Sequence, residues 1–235
     1  MDQSMNMTSV LTKKLKNDII NGTYQAGDRL LPLRELAIKY GVSRSVVNSV
    51  ISTLSAQGFV SVSPRHYVIV NDILKTGSLG ILDDVLESQN KPLKLRLLKD
   101  VLVYRKNIEM EAIHIIISNE HIDLSSLKEV IQEHINWTKN PTNDLVLLVK
   151  LDMSFHKTLL ESTENIVYQL IHRHFESFSQ KMIGYFYQNF NLSTQIFSLY
   201  IETFEAIIDR DEKKAKIALS KVLDQGAQFV LQLMK

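Results

Sequence analysis

The sequence predicts a mainly α-helical protein: an N-terminal winged helix-turn-helix of three helices and a β-hairpin wing, then an antiparallel bundle of six or seven helices. Three observations predict it. Apolar residues recur at helical spacing through most of the 235 residues. Two short helical patterns near the N-terminus are separated by only three or four residues that include a glycine. One stretch, around residues 59–70, changes period from 3.6 to 2.

The first helical pattern runs from about Thr8 to Asn21, with Leu11, Leu15 and Ile19 on one face, lysines on the other and Gly22 as its stop. Pro32 opens the second, which carries Leu33, Leu36, Ala37 and Tyr40 and ends at Gly41. Ser43 is placed to cap the third, whose apolar face is Val46, Val47, Val50, Ile51 and Leu54 and which Gly58 closes. Phe59–Val62 and Tyr67–Val70 then alternate as two strands around the polar turn Ser63-Pro64-Arg65-His66.

This first domain spans 1–72, a linker 73–78, and the helical domain 79–235. Helices are expected near 79–89, 92–119, 124–138, 142–162, 165–189, 192–209 and 212–234, with Pro92 and Pro141 at two of the joints.

Composition narrows the function. There are no cysteines, which excludes disulfides, thiolate metal sites and cysteine nucleophiles. No signal peptide or apolar span of membrane length is visible, so a soluble cytoplasmic protein with no membrane partner is expected. Net charge is only +1, but it is unevenly spread: residues 1–72 hold eight basic and five acidic residues (+3), leaving 19 and 21 (−2) for the remainder. A basic head on an acidic body fits a nucleic-acid reader joined to a sensor. No Gly-rich phosphate loop, nucleophile elbow or HExxH occurs, so no enzyme is expected; a metal-dependent enzyme built on Asp152 and His156 is the remote alternative.

The run Gly22-Thr-Tyr-Gln-Ala-Gly-Asp-Arg-Leu-Leu-Pro-Leu-Arg-Glu-Leu-Ala, with Tyr40-Gly-Val-Ser-Arg-Ser-Val-Val-Asn after it, resembles the GntR family of bacterial transcriptional regulators. That resemblance implies a repressor or activator that binds a double-stranded operator as a homodimer. Arg44 and Ser45 open the recognition helix, where an arginine can read guanine bidentately. Arg34 matches a second family arginine that contacts DNA, and Ser43 and Ser45 can bond phosphates. Asn48 stands where the family usually has a third arginine, and asparagine prefers adenine. Arg65 and His66 at the wing tip are candidates for the minor groove.

Residues 79–235 are similar to the FadR branch of that family, whose helical domain binds an effector. The similarity rests on the segment from Val70 to Leu86, which includes Leu82-Asp-Asp-Val-Leu, and on Arg105 and Glu109. It implies Arg105 as an anchor for a carboxylate or phosphate, with a salt bridge as the competing reading. Many domains of the branch bind a divalent metal through one Asp and three His. Asp152 and His156 match the first two, one helical turn apart, while Tyr200 and Val222 occupy the other two positions, so the pair is read as an incomplete metal site or as a satisfied core pair. The aromatic run from Gly184 to Asn191, followed by Phe197 and Tyr200, is similar in layout to acyl-CoA-responsive members of the branch. Tyr185 and Tyr200 are therefore effector candidates beside Arg105, against a plain aromatic core. The Leu82-Asp-Asp-Val-Leu motif also occurs in regulators that respond to sugar acids, which makes a small carboxylate, with or without metal, the alternative effector.

Overall fold

The computed structural model describes residues 3–63 and 67–232. Its elements are α1 (Gln3–Ile20), α2 (Leu33–Tyr40), α3 (Arg44–Ala56), β1 (Val60–Val62), β2 (Val68–Val70), α4 (Ile73–Thr76), α5 (Ile81–Glu87), α6 (Lys91–Ser118), α7 (Ser125–Lys139), α8 (Leu145–Glu161), α9 (Ile166–Asn189), α10 (Ser193–Ile208) and α11 (Glu212–Gln232). The architecture is the mainly α one expected. The chain divides into two compact units, 1–94 and 95–235.

In the first unit α1, α2 and α3 pack around Leu11, Leu15, Leu36, Val47, Val50 and Leu54, all nearly or fully inaccessible to solvent. Val50 is three residues from Val47 and four from Leu54, so one stripe of α3 faces the core. Gly41 ends α2 in the left-handed conformation (φ 64°, ψ 34°), which places the Val42 N–H 3.0 Å from the Ala37 carbonyl and turns the chain straight into α3. Ser43 caps α3, its hydroxyl accepting from the Val46 N–H at 3.3 Å.

Strands β1 and β2 form an antiparallel hairpin in the register Val60–Val70, Ser61–Ile69, Val62–Val68. The segment before α2 extends it: Leu30 N–H donates to Val68 O, and Val70 N–H donates to Asp28 O, both at 2.9 Å. The Arg29 guanidinium lies over the Tyr67 ring, 4.2 Å from its centroid. The wing-tip residues Arg65 and His66 lie outside the described residues.

The region read as a linker at 73–78 is partly helical. Asp72 caps α4 by accepting from the Leu74 N–H, and Thr76 Oγ1 donates to Gly58 O at 2.7 Å. Beyond it α5 packs on α1, where Lys16 and Asp84 pair at 2.8 Å and Asn90 Nδ2 donates to Ile20 O at 2.7 Å. The first unit therefore extends to Lys94, because α5 buries Leu82, Val85 and Leu86 instead of leaving 79–89 with the bundle.

In the second unit α8 pairs with α9, α10 with α11, and α7 packs against both α8 and α10. The core is continuous from Ile113 and Leu127 through Phe155 and Leu159 to Phe197, Tyr200 and Leu219. Tyr200 is fully buried, stacked on Phe155 with ring centroids 4.0 Å apart.

Candidate nucleic-acid interface and effector pocket

On the first unit Arg34, Ser43, Arg44, Ser45 and Asn48 are all exposed. Arg44 and Asn48 stand one turn apart on α3, opposite the buried stripe of Val46, Val47 and Val50. Ser43 Oγ and Ser45 Oγ are 2.8 Å apart at the helix start, so hydroxyls, a guanidinium and the free N–H groups of the first turn converge there. The N-terminus of a helix is in general a favourable place for a phosphate group. Asn48 also borders a shallow cleft between α3 and the hairpin, with Leu33, Ser52 and Val68.

In the second unit a cavity of about 80 Å³ is lined mainly by apolar side chains, among them Leu98, Val101, Phe178, Met182, Phe186 and Phe229. Its polar wall brings four helices together: Arg105 from α6, Asp152 and His156 from α8, Ser179 from α9 and Tyr200 from α10. Val222, from α11, lines the same cavity, so all four positions read as the family's metal register meet here.

A hydrogen-bonded chain runs behind that wall. Arg105 Nε donates to Glu109 Oε1 at 3.2 Å, and the other Glu109 oxygen accepts from His156 Nδ1 at 2.7 Å. His156 Nδ1 is committed to that carboxylate, and on the other side of the ring Nε2 lies 2.9 Å from the Tyr200 hydroxyl. Asp152 Oδ2 accepts from the Tyr187 hydroxyl at 2.7 Å. Burial alone would raise the Glu109 pKa, but the charges of His156 and Arg105 outweigh it and hold this carboxyl below its ordinary range. Burial and the nearby Asp152 charge push both Tyr187 and Tyr200 well above the ordinary tyrosine value, so both remain hydroxyl donors.

Arg105 spends only Nε on Glu109, and its side chain keeps 22% of its surface accessible. It also lines a second, smaller cavity with Tyr104, Glu109, His156, His172 and Phe175. Burial, and then the proximity of His156 and of Arg105, push His172 down to about 4, so its ring is neutral. The Arg105 guanidinium thus stands between two cavities, with no hydrogen bond to its terminal N–H fork among the described residues.

Tyr185 does not join this wall. It is 49% exposed, whereas Tyr187, two residues on, points inward. Two residues turn a helix by about 200°, and the inward stripe of α9 is set by Phe178, Met182, Ile183 and Phe186. Tyr187 supports the wall by bonding Asp152 and does not itself line the cavity. Glu109 had entered only as part of a family motif; its i, i+4 spacing from Arg105 was the signal that the two pair.

Residues 8–70 match the family described as bacterial regulatory proteins, gntR family, and residues 100–225, more than half of the chain, match the FCD domain. The chain belongs to the gntR family. It carries that family's helix-turn-helix and an FCD effector-binding domain, and is a transcriptional regulator and not an enzyme. The HTH-type regulator Mce2R of Mycobacterium tuberculosis is 24% identical over 213 residues, 90% of this chain and 86% of Mce2R. YieP of Escherichia coli K12, an uncharacterized HTH-type regulator, is 40% identical over 60 residues, 26% of each chain. Among solved structures the regulator shares its fold with Lar of Listeria monocytogenes (TM-score 0.55, 20% identity, covering 97% of this chain and 98% of Lar). It also shares it with E. coli McbR/YncC (TM-score 0.51, 17% identity, covering 97% and 99%). No described helix is long and apolar enough to cross a membrane.

Proposed function

We propose that this regulator reads its operator as a homodimer through Arg44, Asn48 and Arg34, and that a small amphipathic carboxylate in the FCD cavity changes its operator affinity. One observation carries the effector reading: at the polar wall of an otherwise apolar cavity stands a guanidinium with no hydrogen bond to its terminal N–H fork among the described residues. A planar carboxylate satisfies that fork bidentately, and Phe178, Met182 and Phe186 accept the apolar body. Among the described residues that line the cavity Arg105 is the one permanent cation, so the several phosphates of an acyl-CoA would find one such partner here. This favours a mono-carboxylate; an acyl-CoA would place only its acyl chain in the cavity. Ser43 and Ser45 hold phosphates, Arg44 reads a base edge in the major groove, and two half-sites supply the affinity that one sparse contact set lacks.

The test is a gel shift on the regulator's own promoter with wild type, Arg44→Ala and Arg105→Ala, combined with native mass spectrometry of co-purified molecules. Arg44→Ala should lose about 1–3 kcal/mol per half-site. Arg105→Ala should bind DNA as wild type does and lose its response to the extracted carboxylate. Retained sequence-specific binding by Arg44→Ala, or an unchanged effector response in Arg105→Ala, would overturn the corresponding half.

A further inference from the structure

The side chains of the polar wall do not fit a divalent ion, and their hydrogen bonds say what holds them instead. A metal at Asp152 and His156 needs the Nε2 lone pair of His156 and an Asp152 oxygen, with further donors to complete four ligands. The Tyr200 hydroxyl stands 2.9 Å from that Nε2, while an ion would sit about 2.1 Å along the same lone pair. Tyr200 has nowhere to retreat. Its ring is fully buried, stacked on Phe155 and edge-on to His134 with centroids 5.4 Å apart. The Tyr187 hydroxyl occupies Asp152 Oδ2, and the fourth position is the hydrocarbon of Val222.

The electrostatics agree with the geometry. The wall already carries one partly buried cation, Arg105, matched by Glu109, with Asp152 as the remaining carboxylate. The two tyrosine hydroxyls add hydrogen bonds to this wall without adding net charge. A divalent ion would add two positive charges beside an existing guanidinium, with only one carboxylate free of Arg105 to balance them.

We infer that this regulator carries a metal-independent form of the cavity, in which the Tyr200 and Tyr187 hydroxyls stand in place of a divalent ion and hold His156 and Asp152 in a fixed array. Calling the cavity an effector site rests on the reading above. The metal claim is measured without any effector and can fail separately. Arg105 then presents its fork from a wall whose geometry is independent of divalent ions.

The experiment is metal analysis of the full-length protein after chelator treatment, equilibrium dialysis against Zn²⁺ or Co²⁺, and removal of unbound ion. Wild type should retain no ion that depends on His156, so wild type and His156→Ala should have equal metal content. Tyr200→His/Val222→His should gain one equivalent and, with Co²⁺, the visible absorption bands of a low-coordinate site. One equivalent in wild type that His156→Ala removes would overturn the inference. So would a folded double variant, verified by circular dichroism, that gains no ion. Should the double variant fail to fold, Tyr200→His alone supplies a third donor. Retention of Co²⁺ above wild type then supports the inference, and retention equal to wild type counts against it.

Discussion

Arg105 and His156 hold opposite oxygens of one buried carboxylate, Glu109, at 3.2 and 2.7 Å. Glu109 is therefore the counterion that allows a guanidinium to sit beside an apolar cavity. Glu109→Ala leaves the Arg105 charge unmatched and His156 Nδ1 without an acceptor. Removing one partner of a buried pair typically costs about 3–5 kcal/mol. Urea unfolding of the variant should show a loss of that order, and a loss below about 1 kcal/mol would show that water replaces the carboxylate. Glu109→Gln keeps the shape and one acceptor, and should cost less.

Ser43 is both an end of the proposed DNA surface and the cap of α3, and the two roles separate by substitution. Ser43→Ala should cost about 1 kcal/mol of stability through the lost cap, and Ser43→Asp should restore most of it. Aspartate at a phosphate-facing position repels the operator, so Ser43→Asp should fold well and bind DNA poorly. Differential scanning calorimetry beside a gel shift checks both. A variant with wild-type DNA affinity would remove Ser43 from the interface.

Two lysines of α1 reach α5 with the same 2.8 Å geometry but different surroundings. Lys16 and Asp84 keep only 13% and 21% of their side-chain surface, whereas Lys13 and Glu87 keep 66% and 42%. Solvent screens the outer pair, so Lys13→Ala should change stability by less than about 0.5 kcal/mol. Asp84→Ala removes the acceptor of a charged, partly buried donor and should cost about 1–2 kcal/mol. A double-mutant cycle on each pair measures this contrast; equal coupling energies would contradict it.

Element positions were legible because their signals are local. Gly22, Gly41, Gly58, Pro92 and Pro141 punctuate apolar stripes of helical period, and the helices of 166–189 and 193–208 fall within a residue of the expected bounds. The same local logic placed Ser43 as a cap. The region after the wing was harder to read. Residues 73–78 read as a linker, but Asp72 and Thr76 tie them to Gly58 and the start of α4, and Asp84 finds its lysine 68 residues earlier. The polar wall needed tertiary information for a different reason. Glu109, His156, Tyr187 and Tyr200 come from four helices, and only the i, i+4 pairs within one helix, Arg105–Glu109 and Asp152–His156, leave a spacing in the sequence. Choosing Tyr187 over Tyr185 requires the phase of the α9 stripe, which an aromatic-rich run obscures.

Two imidazoles should make the helical domain acid-sensitive. His134 is fully buried and edge-on to Phe197, with ring centroids 4.8 Å apart; its Nδ1 proton goes to Val130 O at 2.7 Å, and Nε2 has no hydrogen-bond partner among the described residues. Burial holds its pKa below the ordinary 6.5, and that of His172 is pushed down to about 4, again chiefly by burial. The unfolded chain therefore binds protons that the folded one refuses. Stability is full above pH 6.5 and is lost as pH falls through that value, until the folded rings themselves titrate. The slope is at most about 1.4 kcal/mol per pH unit for each imidazole. Glu109 works in the same direction but lower, since its depressed pKa removes stability only below the ordinary 4.5. Urea titrations between pH 7.5 and 5 isolate the imidazole window. His134→Phe keeps an aromatic ring among Phe155, Phe197 and Tyr200, and the Val130 carbonyl retains its bond within α7. The variant should flatten the slope by up to one proton and leave the His172 contribution in place. An unchanged slope would mean that His134 is protonated in the folded protein, with a partner at Nε2.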